Sequence, residues 1–452
     1  MLDIPAEMYD QIASQFEFCC PSTFDTWNYN APSYQGYEFL LAYPNLYYGT
    51  PDIKSLQNLR LTSRSFHRAA TRVLSKSTLI HWRVASKERT QIQSKHPKKD
   101  SELCLNRFVK YIELDFKDRI GWELQPPSTS EDKEPESASF PVRIAEVFGH
   151  ATKLPNLQSL KADVPRWKSE YNPEPSNGHV QLNLDILQAF TQQLSQILTQ
   201  PEQWKYLKDL RLALPSSHDY LQLSRTIPDE LLARLDRLSL TVTDATGPDG
   251  AKQYLEYVDE DGSGQEVFPP SNIQVLYPNS VHSHGVFDIV SRCPNLKSLG
   301  IEGTHHLDTN VLKREKKAGL ENLYLKRVRI SAENLIILSL GDGPNRALSL
   351  STLWFEDIEL TAGTWTEVFS DLGICPELLY LNPVDLGYAR NGESAGHRPW
   401  SPWGGHHHED VANLWSTNEE DEETLMALME NLAQRAGGRG SYANFFEEQK
   451  ML

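Results

Sequence analysis

A chain of 452 residues exceeds the usual size of one compact domain, so more than one structural unit is expected. At 39% hydrophobic and 23% charged it has enough apolar side chain for a core. It contains no run of about twenty apolar residues that could cross a membrane. A net charge of −17 argues against general affinity for nucleic acid, which needs Lys and Arg in excess to neutralise phosphate. The five cysteines (Cys19, Cys20, Cys104, Cys293 and Cys375) are odd in number and form no CxxC pair. They read as small buried residues rather than a disulfide framework. With no basic, apolar leader at the start, a cytoplasmic or nuclear home is expected.

Residues 2–16 read LDIPAEMYDQIASQF. Pro5 suits a first helical turn, Glu7 suits the positive end of the helix dipole, and Met8, Ile12 and Phe16 share a face. Residues 17–51 are an insertion rich in Phe, Tyr and Trp. A second helical pattern starts near Thr50-Pro51-Asp52, with Ile53, Leu56 and Leu59 on its apolar face. Thr62 or Ser63 then caps a third, whose face carries Phe66, Ala70, Val73 and Leu74. Residues 54–99 hold 12 Lys/Arg against Glu88 alone, a basic stretch most simply read as a solvated helical face. Residues 86–104 continue it as a basic connector.

From about residue 105 one phrase recurs: LPNLQSL at 154–160, CPNLKSLGI at 293–301 and CPELLYL at 375–381. In each, a Val-Phe pair lies upstream, with Phe148, Phe287 and Phe369 seven residues before Pro155, Pro294 and Pro376. An amphipathic helix, a proline stop and a short strand reading L-x-x-L-x-L would produce this frame. Looser copies start at 109, 207, 235, 273, 320 and 350, and the closest neighbours are 23 to 30 residues apart. Such self-similarity points to a repeat architecture. An ordinary α/β domain, whose parallel strands are also apolar runs, remains the alternative.

The phrase resembles the leucine-rich repeat family over residues 105–390, though the Asn or Cys usual after the third leucine is mostly absent. The N-terminal spelling, IPAEMYDQI at 4–12 with LQNLRLTSRSFHRAA at 56–70 and Leu79, Ile80 and Trp82 beyond, resembles the F-box. That family docks the Skp-family adaptor of cullin–RING ubiquitin ligases. The resemblance implies that Pro5, Met8, Ile12, Leu56, Leu59 and Phe66 are shared between an adaptor interface and a small helical core. Ile4 replaces the usual leucine, and the 17–51 insertion is far longer than the family's connection. Loop closure over so many residues costs only ~1 kcal/mol more than over ten. A plain helical cap on the first repeat would explain the same helices.

The fold expected is therefore α/β: an irregular leucine-rich-repeat solenoid with parallel strands and helices on the outer face, preceded by an all-α F-box-like module at 1–85. Residues 125–139 and 244–272 read as long polar loops. DEDGSG resembles a calcium loop, but Pro270 stands where the bidentate Glu is required. Residues 391–452 comprise a Trp/His-rich stretch around 396–415 and a closing helix. There Ser416, Thr417 or Asn418 is the cap, EEDEE the first turn, and Leu425, Leu428, Met429 and Leu432 the stripe. His305-His306 and His406-His407-His408 lack the spacing of a metal site.

No GxGxxG before a helix, Walker lysine motif, GxSxG or HExxH occurs, so no catalytic or cofactor-binding residues are assigned and no enzyme is expected. The resemblance implies a substrate-recognition subunit of an SCF-type E3 ubiquitin ligase. Its partners would be a Skp-family adaptor, a cullin–RING ligase and an unidentified protein substrate, with neither nucleic acid nor membrane. The alternative is a leucine-rich-repeat interaction scaffold that works without a ligase.

Overall fold

The structure, a computed structural model, describes residues 6–15, 53–74, 77–81, 111–115, 149, 154–164, 184–243, 257–258, 265–266, 273, 276–309, 320–341, 349–389, 414, 416 and 418–435. Three helices open it: α1 (Ala6–Gln15), α2 (Ile53–Thr62) and α3 (Arg64–Leu74). Ser63 caps α3, its Oγ accepting from Phe66 N at 3.2 Å. Both α1 and α2 pack on α3. Among the described side chains their shared core comprises Ala13, Leu56, Ala69 and Ala70, with Tyr9 and Leu59 against it.

The larger unit is a mostly parallel ten-stranded sheet with helices. Its elements are β1 (Ser77–His81), β2 (Tyr111–Asp115), β3 (Ser159–Asp163), α4 (Leu184–Leu198), β4 (Asp209–Leu214), α5 (Ser217–Thr226), α6 (Asp229–Leu232) and β5 (Arg237–Val242). A hairpin, β6 (Tyr257–Val258) and β7 (Gln265–Glu266), stands outside the sheet. Then come α7 (Asn279–His282), α8 (His284–Ser291), β8 (Ser298–Asp308), β9 (Asn322–Ile330), α9 (Ala332–Leu340), β10 (Thr352–Leu360), α10 (Trp365–Gly373), β11 (Tyr380–Val384), β12 (Gly387–Tyr388) and α11 (Glu419–Arg435). Each sheet strand lies beside its predecessor, in the order β1-β2-β3-β4-β5-β8-β9-β10-β11, and β12 continues along β10.

One register row runs Leu160, Leu210, Leu238, Leu299, Leu323, Leu353, Leu381 across neighbouring strands. Because side chains alternate along a strand, these leucines and those two residues on share a face. They enter one continuous core with Phe190 of α4, Tyr220 of α5, Phe287 of α8, Leu335 of α9, and Trp365 and Phe369 of α10. Leu157, Leu210, Leu238, Leu296, Leu299, Leu323 and Leu353 are all buried, as the repeated phrase predicts. Cys293 and Cys375 are free thiols in that core, where the first copy has Leu154.

Two expectations fail. Ile273 does not begin a strand: it is helical and buried, and the sheet passes directly from β5 to β8. IQVL has the apolar content of a strand, but so short an apolar run fits a helix as well. The 244–272 stretch is not wholly loop, since Tyr257 and Val258 pair with Glu266 and Gln265 across the Asp-Gly-rich turn. Residues 86–104 and 125–139, the whole 17–51 insertion and, except for Leu414, the 396–415 Trp/His stretch lie outside the described residues.

The last helix is fastened by a polar knot rather than by its stripe alone. Asn418 caps it, Oδ1 accepting from Glu420 N at 3.3 Å. Asp421, from the run that reads as a polar first turn, is fully buried. Its carboxylate accepts from Thr366 N (2.8 Å), Thr366 Oγ1 (2.7 Å), Tyr388 OH (2.5 Å), Ser416 Oγ (2.7 Å) and Asn418 Nδ2 (3.3 Å). At the other end Arg435 donates to the carbonyls of Cys375 and Gly373, closing the C-terminus of α10. Leu425, Leu428, Met429 and Leu432 join the main core between these ties.

Candidate functional site

Two surfaces carry chemistry that packing alone does not use up. The first belongs to α1–α3. Tyr9 of α1 meets Phe66 of α3 edge-on, centroids 4.7 Å apart, which joins the two helices. Of the residues implicated by resemblance, Leu56 is fully buried, Ile12, Leu59 and Phe66 are half-buried, Met8 is 47% exposed, and Pro5 lies outside the described residues. Leu61, which no stripe suggests, is 86% exposed. It lies about 140° around the helix from Leu56, so periodicity assigns it to the wet face.

The second surface is the face of the sheet opposite the leucines, reached by the alternate residues of each strand. Near β3 and β4, Asp209 and Arg211 form a buried pair, Nη2 to Oδ2 3.1 Å, and Ser159 Oγ donates to the same carboxylate at 2.7 Å. Across β8–β10, Lys326 Nζ sits between Glu356 (3.0 Å) and Glu302 (3.8 Å). Tyr324 and Trp354 stand edge to face beside them, centroids 5.9 Å apart. Opposite charges on adjacent strands attract across the ladder, so the row is complementary by register.

Beyond this row the strands bend. Arg327, Asp357 and Asp385 occupy the same ladder position in three successive strands, all in the left-handed region with φ of 55°, 55° and 51°. The bend resets the alternation, so that Leu323 and Leu325 face the core before it and Val328 and Ile330 after it. On β8 four residues, 303–306, stand where β9 has only Arg327. A bulge of this kind re-aims a side chain. It brings His306 Nε2 to 3.3 Å from Asp357 Oδ1 and 3.8 Å from Glu359. Arg327 Nε lies 3.3 Å from Asp357 Oδ2, and Arg329 Nε 2.6 Å from Glu359. Burial would raise the Asp357 carboxyl, yet His306, then Arg327 and Lys326, outweigh it and hold it below the usual carboxylate range.

The cluster pairs its charges internally. Among the described residues no group of three His, Cys, Asp or Glu is placed to hold a metal ion. No helix among them is long and apolar enough to cross a membrane. His306 was not legible as part of the cluster, since sequence shows only a histidine pair and the bulge alone turns one toward β10. No known protein-family model matches the chain, and no curated protein matches it.

Proposed function

We propose that the chain is the substrate-recognition subunit of an SCF-type cullin–RING ubiquitin ligase. The α1–α3 unit would be F-box-like and dock a Skp-family adaptor, and the sheet unit would hold a protein target. The observation that carries the reading is the exposure of Leu61 and Met8, two large apolar side chains on helices that pack against the same third helix. Fully burying a leucine contributes ~1.5–3 kcal/mol, so a partner that covers both recovers a substantial part of a docking energy. The strictly sequential parallel order of strands supports a leucine-rich-repeat reading of the larger unit, with the polar face as its recognition surface.

Co-expression of the full chain with a Skp-family adaptor, followed by size-exclusion chromatography, tests this. The wild type is expected to co-elute, and Leu61→Asp combined with Met8→Asp to abolish co-elution without changing the melting temperature. Leu56→Asp is unsuitable, because Leu56 is in the core. Elution of the wild type alone would overturn the reading in favour of an interaction scaffold that acts without a ligase.

A further inference from the structure

A second cluster lies away from both surfaces, on the helical layer. His218, in the first turn of α5, stacks on Tyr277 with centroids 4.4 Å apart and planes 6° from parallel. His282, the last residue of α7, meets His218 edge-on at 5.1 Å and Tyr277 at 6.0 Å. These rings join α7 to α5, while β8 packs on α7 from its own side. The flanking apolar residues of α7 contribute little, since Leu276 is 52% and Val281 58% exposed. α7 is one turn long, and its N-cap, Pro278, makes no side-chain bond. The next helix is anchored differently. Gly285 of α8 lies so close to Leu221 of α5 that a Cβ there would come within 2.4 Å of the Leu221 Cα. α8 is therefore locked to α5 by close backbone approach, and α7 by aromatic contact.

We propose that the His218–Tyr277–His282 cluster is an acid-released latch: the neutral rings pin residues 276–283 to α5, and protonation loosens that segment while α8 stays docked. The geometry resists a cation at both imidazoles. His282 Nδ1 is buried without a hydrogen-bond partner, so the N–H that a charged ring must carry there has no acceptor. His218 Nδ1 faces the Gln222 side-chain amide at 3.5 Å, and in the charged ring that nitrogen becomes a donor, which the amide must turn over to meet. Two charged rings 5.1 Å apart also repel.

Among the described residues no carboxylate acts on either imidazole. From α5, Arg225 is cationic, and the Asp219 carboxylate is engaged by the Ser216 cap. From α8, His284 is a third imidazole, and Asp288 lies against Arg292, as does Asp229 of α6. The charges of β4, Asp209 and Arg211, pair with each other, and Asp185 is the lone charge of α4, in its first turn. β8 touches α7 through Asp308 N, which donates to Ser283 Oγ at 3.3 Å, and its His306 faces Asp357. Burial, then Arg225, lowers the His218 pKa, and burial, then His218 and His284, lowers that of His282. The closed latch thus binds fewer protons than the open one. Its stability is complete above about pH 6.5, the ordinary histidine value, and is lost as pH falls from there through the depressed values.

Amide hydrogen exchange on the full chain at pH 7.5 and 5.5, corrected for intrinsic rates, reads the latch. Protection at 276–284 should fall several-fold at pH 5.5 while that of 286–291 is kept. His218→Phe with His282→Phe retains the ring contacts and should abolish the difference. An unchanged wild-type protection, or a response that survives in the double variant, would overturn the proposal. If the double variant does not fold, the imidazole proton resonances of the wild type still decide. Both histidines must titrate below about pH 6.5, and ordinary values for the pair would sink the latch.

Discussion

Among the described side chains of the three N-terminal helices the buried apolar residues are Ala13, Leu56, Ala69 and Ala70; in the sheet unit they run from Ile112 to Leu432. The small unit leaves Leu61 and Met8 in water, whereas the strand leucines of the large one are covered from Leu157 to Leu381. A short helical trio has too much surface for its volume to hide every apolar side chain, while each added strand and helix of the sheet unit covers the one before. Exposure in the first region is therefore informative about partners, and burial in the second about stability. The same contrast holds for charge. Lys326, Arg327 and Arg329 each have an acidic neighbour on β10, and such ordered cross-strand pairing needs a ladder to set the spacing.

The contrast can be broken at four points. The largest effect is expected at the centre of the leucine row. Leu299→Ala should cost about 2–5 kcal/mol in urea unfolding, as truncation of a buried leucine does. A change below ~1 kcal/mol would mean that the core is not continuous there. Next is the polar knot. Asp421→Ala leaves the hydroxyls of Thr366, Tyr388 and Ser416 without their acceptor, at about 2–3 kcal/mol, and amide exchange in 419–435 should accelerate before that of the sheet. Retained protection would show that the Leu425–Leu432 stripe holds α11 unaided.

A smaller effect belongs to the strand bend. Asp357 has its pKa depressed by neighbours, so it contributes stability that is present above its ordinary value of about 3.9 and is lost as pH falls below it. Asp357→Asn keeps a side chain tolerant of positive φ and removes only the charge. It should cost up to about 1 kcal/mol at pH 7 and flatten the loss of stability in acid. Asp357→Val should cost more, because a β-branched residue is strained at φ 55°. If Asn and Val behave alike, the bend carries no strain. The smallest effect is at Leu61. Leu61→Asp should shift stability by less than about 0.5 kcal/mol, because the side chain is already in water. A large loss would place Leu61 in a core and remove the main support for the adaptor reading.

Much of the fold was legible because period and punctuation agreed. CPNLKSLGI and CPELLYL each set a Val-Phe helix face, a proline stop and strand leucines in fixed order, and Phe287, Leu299, Phe369 and Leu381 occupy the core accordingly. The N-terminal helices and the α11 stripe were readable for the same reason. IQVL misled because a short apolar run fits helix or strand equally well. The candidate surfaces were less legible. Met8 could be named from its stripe, but Leu61 was not, because it lies off the stripe of Ile53, Leu56 and Leu59 and so belongs to no periodic set.

Read alone, the chain specified which residues face a core, since that follows from local alternation at periods of two and 3.6. Only the assembled sheet decided which charges meet. Arg327 finds Asp357 across thirty residues through strand register, and His306 reaches Asp357 through a bulge whose length no pattern announces. Asp421 illustrates the limit in one side chain. Among five consecutive acids nothing local marks the third as buried, and its burial rests on Thr366 and Tyr388, donors that only tertiary packing delivers.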